Sequence, residues 1–397
     1  MLIDAFEASR RLRVKPATLY AYVSRGLIRS MVKPGSKAHL YYEIDIERLK
    51  RGRHKGRRSA APPPSYDRYA PVLDTSLCLI DDGRLYYRGI DAIELSATAS
   101  LEEIAALLWE TSGHANVLAP SMPPGLGILL AELPPKITPL ERAKAIMVRM
   151  AAEDVGAFET STPVVSRVGQ RLILALTAAL TGKPPRSGLP IHEQLARAWR
   201  LNAVGADLVR RSLVLSADHE LNPSTYVARC VASTEATLYA AVLAALCALS
   251  GARHGGHIFR VEAMLADLME AGNLKANIRE RWQRGERLVG FGHPLYPAGD
   301  PRAQAILAVL RTGMSKSKSV RIFEIAELEF ELSGRAPLID YALASTARVL
   351  GLPVGSAQGI FLLGRSVGWI AHAIEQYAAR TIIRPRARYV GPVPINA

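Results

Sequence analysis

From Tyr66 onward, apolar residues recur at three- and four-residue steps in segments such as Leu101 to Trp109, Leu172 to Leu180 and Ile258 to Met269. Ala, Leu and Arg dominate these segments, and Pro or Gly clusters separate them. That period buries one face of an α-helix, so this part of the chain is predicted to be all-α. The exception is a short β-hairpin near Leu77 to Tyr87, turning at Asp82-Gly83, a dipeptide suited to tight two-residue turns. The longest weakly polar run, Ala236 to Ala252, lies between Glu235 and Arg253 and contains Thr237, Ser250 and Gly251. It falls short of a comfortable membrane span and is predicted to be a buried helix. No helical repeat of fixed period is present, and the isolated Gly290-x-Gly292 opens no βαβ unit, which argues against a dinucleotide fold.

Residues 2–50 form a different pattern. Ile3, Ala5, Phe6, Ala8 and Leu12 suit one short helix, and Pro16 suits the first turn of a second that Gly26 ends. Ile44 to Leu49 suits a closing helix. Six of the nine residues from Lys50 to Arg58 are cationic, and Pro62, Pro63 and Pro64 then prevent a helix or sheet from continuing. The predicted organisation is a unit over 1–50, a basic and Pro-rich linker over 51–65 and a body over 66–397. The linker is either a solvated spacer or an arm that follows phosphates.

Charge sharpens this division. Residues 1–65 hold 15 Lys and Arg against 5 Asp and Glu, a balance of +10 out of the total of +14. Such asymmetry points to a nucleic-acid or membrane-surface role for the basic part. A length of 397 residues fits two or three domains, and a 49% hydrophobic composition fits a folded chain. Cys78, Cys230 and Cys247 are far apart and form no CxxC pair, which argues against a disulfide framework or a zinc site and suits a reducing, cytoplasmic compartment. No secretory signal pattern follows Met1.

Candidate chemistry concentrates in three histidine segments. His293 and Arg302 lie nine residues apart within Gly290 to Ala303, among glycines and prolines, a spacing suited to gripping a small anion. His219 lies in Ala217-Asp218-His219-Glu220-Leu221-Asn222-Pro223-Ser224-Thr225. His254 precedes Gly255-Gly256 and a helical segment. The positive end of that helix and Arg253 disfavour its imidazolium form, so it can serve as a neutral hydrogen-bond donor to an oxygen gaining charge. The alternative is a structural turn histidine. Asp340 precedes a helix, where the ordinary role is an N-cap. Arg365 sits in a segment apolar on nearly every side, with no local acid before Glu375. It needs either a bound carboxylate or a distant internal acid.

Taken together these segments resemble the citrate synthase family. The same order continues through Leu338-Ile339-Asp340-Tyr341, Gly364 to His372 and Ile383-Arg384-Pro385-Arg386, and begins with Leu85 to Asp91 followed by Glu102 to Trp109. The resemblance covers roughly 66–397. It implies a large and a small helical domain, the small one roughly over 260–345, and a homodimeric transferase of the tricarboxylic acid cycle. That enzyme condenses acetyl-CoA with oxaloacetate and hydrolyses citryl-CoA to citrate and CoA. It further implies catalytic roles for His254, His293 and Asp340. Oxaloacetate would be held by His219, Arg302 and Arg365, with Arg384 from the second subunit, and no metal or cofactor is called for. Where the family usually reads His-Gly-Gly-Ala-Asn, this chain has His254-Gly255-Gly256-His257-Ile258, which leaves the acyl group open between acetyl and propionyl. The latter would make 2-methylcitrate.

The first unit resembles the MerR-like and excisionase-like winged helix-turn-helix, with the wing over Pro34 to Tyr42 and His39 where such wings usually carry arginine. The resemblance implies DNA contacts from Thr18, Tyr20 and Arg25. It also opens a third reading, a DNA-binding regulator whose body senses a metabolite.

Overall fold

The chain divides into two compact units, residues 1–70 and 71–397. The computed structural model describes residues 2–12, 14–24, 28–32, 38–46, 73–111, 125–134, 136–186, 188–313, 316–387 and 389–391.

In the first unit, β1 (Leu2–Ile3), α1 (Ala5–Leu12), α2 (Pro16–Ser24), β2 (Ser30–Val32) and β3 (His39–Tyr42) follow one another. The strands form an antiparallel sheet in the order β1-β3-β2. Ile3, expected in the first helix, belongs to β1. The Asp4 carboxylate accepts the Glu7 backbone N–H at 2.8 Å, and this cap starts α1 after Ile3. Ala8, Leu12, Leu19, Ile28, Tyr41 and Ile46 make a small core of their own. The Gly26 helix stop, the wing tip at 34–37, the closing helix beyond 46 and the basic linker lie outside the described residues.

The second unit opens with β4 (Cys78–Asp81), β5 (Arg84–Tyr87) and β6 (Ile90–Asp91), antiparallel in the order β4-β5-β6. Asp82 and Gly83 both have positive φ, 50° and 75°, which matches the twist of the flanking strands in a two-residue turn. The predicted hairpin therefore exists and carries a third strand. Then come α3 (Ala92–Thr98), α4 (Leu101–Trp109), α5 (Leu126–Glu132), α6 (Pro139–Glu153), α7 (Thr162–Thr181) and α8 (Ile191–Ala198). These are followed by α9 (Ala203–Ser216), α10 (Pro223–Ala232), α11 (Leu238–Leu249), α12 (His257–Glu270) and α13 (Leu274–Gln283). The last four are α14 (Pro301–Gly313), α15 (Lys316–Ser333), α16 (Ile339–Leu350) and α17 (Ser356–Ala379).

The axis of this unit is α17, which packs against α4, α7, α9, α10, α11 and α16. Close approach to α9 depends on a missing side chain. A Cβ at Gly368 would sit 2.3 Å from both the Ala217 carbonyl and the Asp218 carboxylate. The apolar run at 236–252 contains α11, whose residues are largely buried. Among the described residues only α7 is long and apolar enough to cross a membrane, and 72% of its apolar stretch is buried within the fold.

Candidate active site

Two segments, 290–302 and 336–339, are locked together. Gly290, at φ 87°, adopts a conformation that side chains rarely take, and its carbonyl accepts the Leu338 N–H at 2.8 Å. The Gly292 N–H donates to the Ala336 carbonyl at 2.9 Å. The fully buried Asp300 accepts Arg302 Nε at 3.0 Å, Arg302 Nη2 at 2.8 Å and the Ile339 N–H at 3.1 Å. One carboxylate thus ties Arg302 to the start of α16, which carries Asp340. The arginine is held charged, because Asp300 outweighs the burial that would lower its pKa. Its Nε and Nη2 edge is already occupied by Asp300, so only the opposite edge is left for a small anion of the kind its sequence position suggested.

His219 and His293 meet edge to face, ring centroids 5.7 Å apart. His219 Nε2 lies 2.8 Å from the Tyr296 hydroxyl. Burial first, then Arg302, Arg365 and His293, pushes the His219 pKa well below 6.5. His293 is pushed down by burial and Arg302, against Asp300 and Asp340. The Leu295 N–H donates to His293 Nδ1 at 3.1 Å. In the neutral ring the hydrogen therefore sits on Nε2, which is free to donate to a ligand oxygen.

His254 lies in the turn before α12, and its pKa is pushed down to about 4. The neutral state expected from sequence is present, but its causes differ. Burial comes first and the Arg365 charge second, with Asp340 opposing, and neither Arg253 nor the helix end is the principal source. Its Nε2 contacts the Ser224 hydroxyl at 2.8 Å, and Trp369 Nε1 donates to the same oxygen at 3.1 Å. Asp340 is not an N-cap. That position belongs to Leu338, whose side chain makes no capping bond.

Arg365, 1% exposed, donates from Nε to the Ser216 carbonyl at 2.7 Å and stacks over the Phe361 ring at 4.8 Å. Glu375, the acid on its own helix, is bonded to Arg229 at 2.8 Å. The acid that faces Arg365 electrostatically is Asp218, fully buried and 3.2 Å from His372. Burial alone would raise the Asp218 carboxyl, but His372 and Arg365 lower it. Arg365 thus has an internal anion near it, yet its pKa is still lowered, by burial first.

Not every predicted residue joins this cluster. Arg384 is exposed in the extended segment after α17, beside a cleft that it lines with Leu73, Arg229 and Gln376. In the first unit, Thr18 is half-buried and Tyr20 is 55% exposed beside the buried Leu19, while Arg25 lies outside the described residues. Asp218, Ser224, Tyr296 and Asp300 are residues that motif reading passed over, although all four stand within segments already singled out for their histidines, so the signal was their adjacency. His257 was singled out only as a departure beside the acyl pocket, not as a neighbour of Asp340. His257 Nδ1 lies 3.8 Å from Asp340 Oδ1.

The residues of this cluster fall within 68–386, the stretch that matches the family model described as citrate synthase, C-terminal domain. The chain belongs to the citrate synthase family. A citrate synthase from Haloferax volcanii is 32% identical over 356 residues, covering 81% of this chain and 93% of the relative. A 2-methylcitrate synthase from Mycobacterium tuberculosis is 29% identical, covering 77% and 84%. Among solved structures, citrate synthase from Thermoplasma acidophilum in ternary complex with carboxymethyl coenzyme A and oxaloacetate has a TM-score of 0.68 at 25% identity. It covers 83% of this chain and 96% of that one. The chain is accordingly a condensing enzyme of the transferase type with the mostly helical fold of this family. Its first 67 residues lie outside the family match.

Proposed function

We propose that the chain condenses acetyl-CoA with oxaloacetate and hydrolyses citryl-CoA to citrate and CoA. What supports the assignment of roles is that Asp340 opposes the lowering of both the His254 and the His293 pKa while burial and arginine charges push both rings toward the neutral form, as expected for a base beside two neutral donors. Asp340 takes the proton from the acyl methyl group while His254 donates to the thioester oxygen, stabilising the enolate as it forms. For this the His254 hydrogen must be on Nδ1, with Ser224 donating its hydroxyl hydrogen to Nε2. The carbon then attacks the ketone, polarised by His293 Nε2–H, which passes its proton to the alkoxide. His219, Arg302 and Arg365 hold oxaloacetate, and Arg384 reaches over from the second subunit of a homodimer. The same charges supply what a metal or cofactor would, and closure of a small helical domain, roughly 260–345, excludes water before reaction. A cytoplasmic setting completes the reading.

Two alternatives have specific support. The relative named 2-methylcitrate synthase keeps propionyl-CoA in view. The basic first unit, with its two short helices and antiparallel sheet, supports a winged helix-turn-helix contacting duplex DNA through Thr18, Tyr20 and Arg25, and thus a regulatory use of the body. A thiol-release assay with acetyl-CoA and propionyl-CoA, each with and without oxaloacetate, distinguishes them. We expect release from acetyl-CoA only with oxaloacetate, and Asp340→Asn to reduce turnover far more than oxaloacetate binding. Lost oxaloacetate binding with turnover per bound substrate intact would refute the role of Asp340.

A further inference from the structure

The proposed base has a neighbour that the scheme above leaves unused. His257 is the first residue of α12, and Asp340 lies in the first turn of α16. These helices pack against each other, so the 3.8 Å approach of His257 Nδ1 to Asp340 Oδ1 is set by the core and not by a loop. The approach angle is set as well. A Cβ at Gly256 would lie 2.8 Å from the Ser250 carbonyl, so the turn feeding His257 packs backbone to backbone. The His257 N–H donates to the His254 carbonyl at 2.9 Å, which joins it to the proposed enolate-stabilising residue. Both side chains stay partly open, at 25% and 21% exposure, as expected at the rim of a substrate space.

We infer that His257 is a positioning residue for Asp340, an inference that rests on the condensing reading above. In the proposed arrangement Nδ1–H donates to Oδ1, since a ring nitrogen must carry a hydrogen to bond a carboxylate. Once Oδ1 is so engaged, Oδ2 is the oxygen presented to the acyl methyl group. The C–H bond breaks toward Oδ2, its electron pair becomes the enolate, and His257 keeps its own hydrogen throughout. At 3.8 Å the contact is longer than a hydrogen bond, and catalytic contacts of this kind tighten when substrate enters. A carboxylate held in one orientation spends less of the barrier on finding it.

The test uses full-length protein with whichever thioester the wild type turns over. His257→Ala removes the donor, and His257→Asn places an amide N–H near the position of Nδ1. We expect His257→Ala to lower kcat about tenfold with KM for oxaloacetate within about twofold, and His257→Asn to recover most of the loss. The kinetic isotope effect with a deuterated acyl methyl should rise in His257→Ala, because proton removal becomes slower, and a purely structural role would not move it. Full kcat in His257→Ala, identical Ala and Asn variants, or a loss confined to KM overturns the role. A wild type that releases no thiol with oxaloacetate and either thioester overturns the condensing reading and this role with it. A wild type that turns over beside a matching His257→Ala overturns this role alone.

Discussion

At the scale of single residues the site runs on neutral histidines, and this has a cost in acid. His254 is pushed from 6.5 down to about 4, so as pH falls the unfolded chain takes up its proton before the folded one does. The sign follows: this contribution to stability is full above 6.5 and is lost as pH falls toward 4. His219 and His293 shift the same way and steepen the loss. Replacing His254 by glutamine removes its share while keeping a polar side chain. Denaturant melts at about pH 7.5 and about pH 4.5 should show wild type losing about 2.5 kcal/mol more than His254→Gln between the two. Parallel losses would mean that His254 takes up its proton in the folded protein as readily as in the unfolded chain. The cause of the shift was only half legible in the sequence. Arg253 is the adjacent cation, but the influential one is Arg365 on α17, brought close by packing. The same holds for Asp218 with His372 and for His257 with Asp340: each residue is visible alone, and each pairing exists only in three dimensions.

At the scale of elements, long periodic segments were legible because burial of one face repeats with the helix itself. Leu101–Trp109 is a helix with the bounds its pattern suggested, and the positive-φ pair Asp82-Gly83 announced its hairpin. Two-residue strands were not legible, since β1 and β6 are too short to show any alternation. Their existence depends on partners elsewhere, as Ile3 pairing with Tyr41 illustrates. The Gly364-x-x-x-Gly368 spacing could be seen, but not what it faces. Because a Cβ at 368 would meet a carbonyl and a carboxylate at 2.3 Å, Gly368→Ala must push α17 off the 217–219 segment. We expect a stability loss of about 2 to 3 kcal/mol together with weaker oxaloacetate binding, since His219 moves with that segment. Gly272→Ala, with nothing within 4 Å of the added carbon, is the control and should stay within about 0.5 kcal/mol of wild type. Equal melting temperatures for the two variants would show that α17 tolerates the displacement.

At the scale of the whole molecule, three independent boundaries fall close together. The charge imbalance of +10 ends by residue 65, the family match begins at residue 68 and the compact units divide after residue 70. A chain whose charge, family match and packing all change over so short a stretch divides naturally into two parts. Each part has its own core, the smaller around Leu19, Ile28, Tyr41 and Ile46. All the residues proposed for condensation lie from His219 onward. Removing residues 1–65 should therefore leave turnover per active site largely intact. If the small unit binds duplex DNA through α2, the deletion should abolish that binding. The full-length protein should lose DNA affinity steeply as salt rises, because each phosphate neutralised by Lys or Arg releases a counterion. A homodimer would carry two such units, so paired half-sites should bind more tightly than single ones. Gel shifts at low and high salt, run beside the thiol-release assay on both chains, decide the matter. A truncated protein that is folded but inactive, with a full-length protein indifferent to DNA at low salt, would make the first unit a structural part of the enzyme.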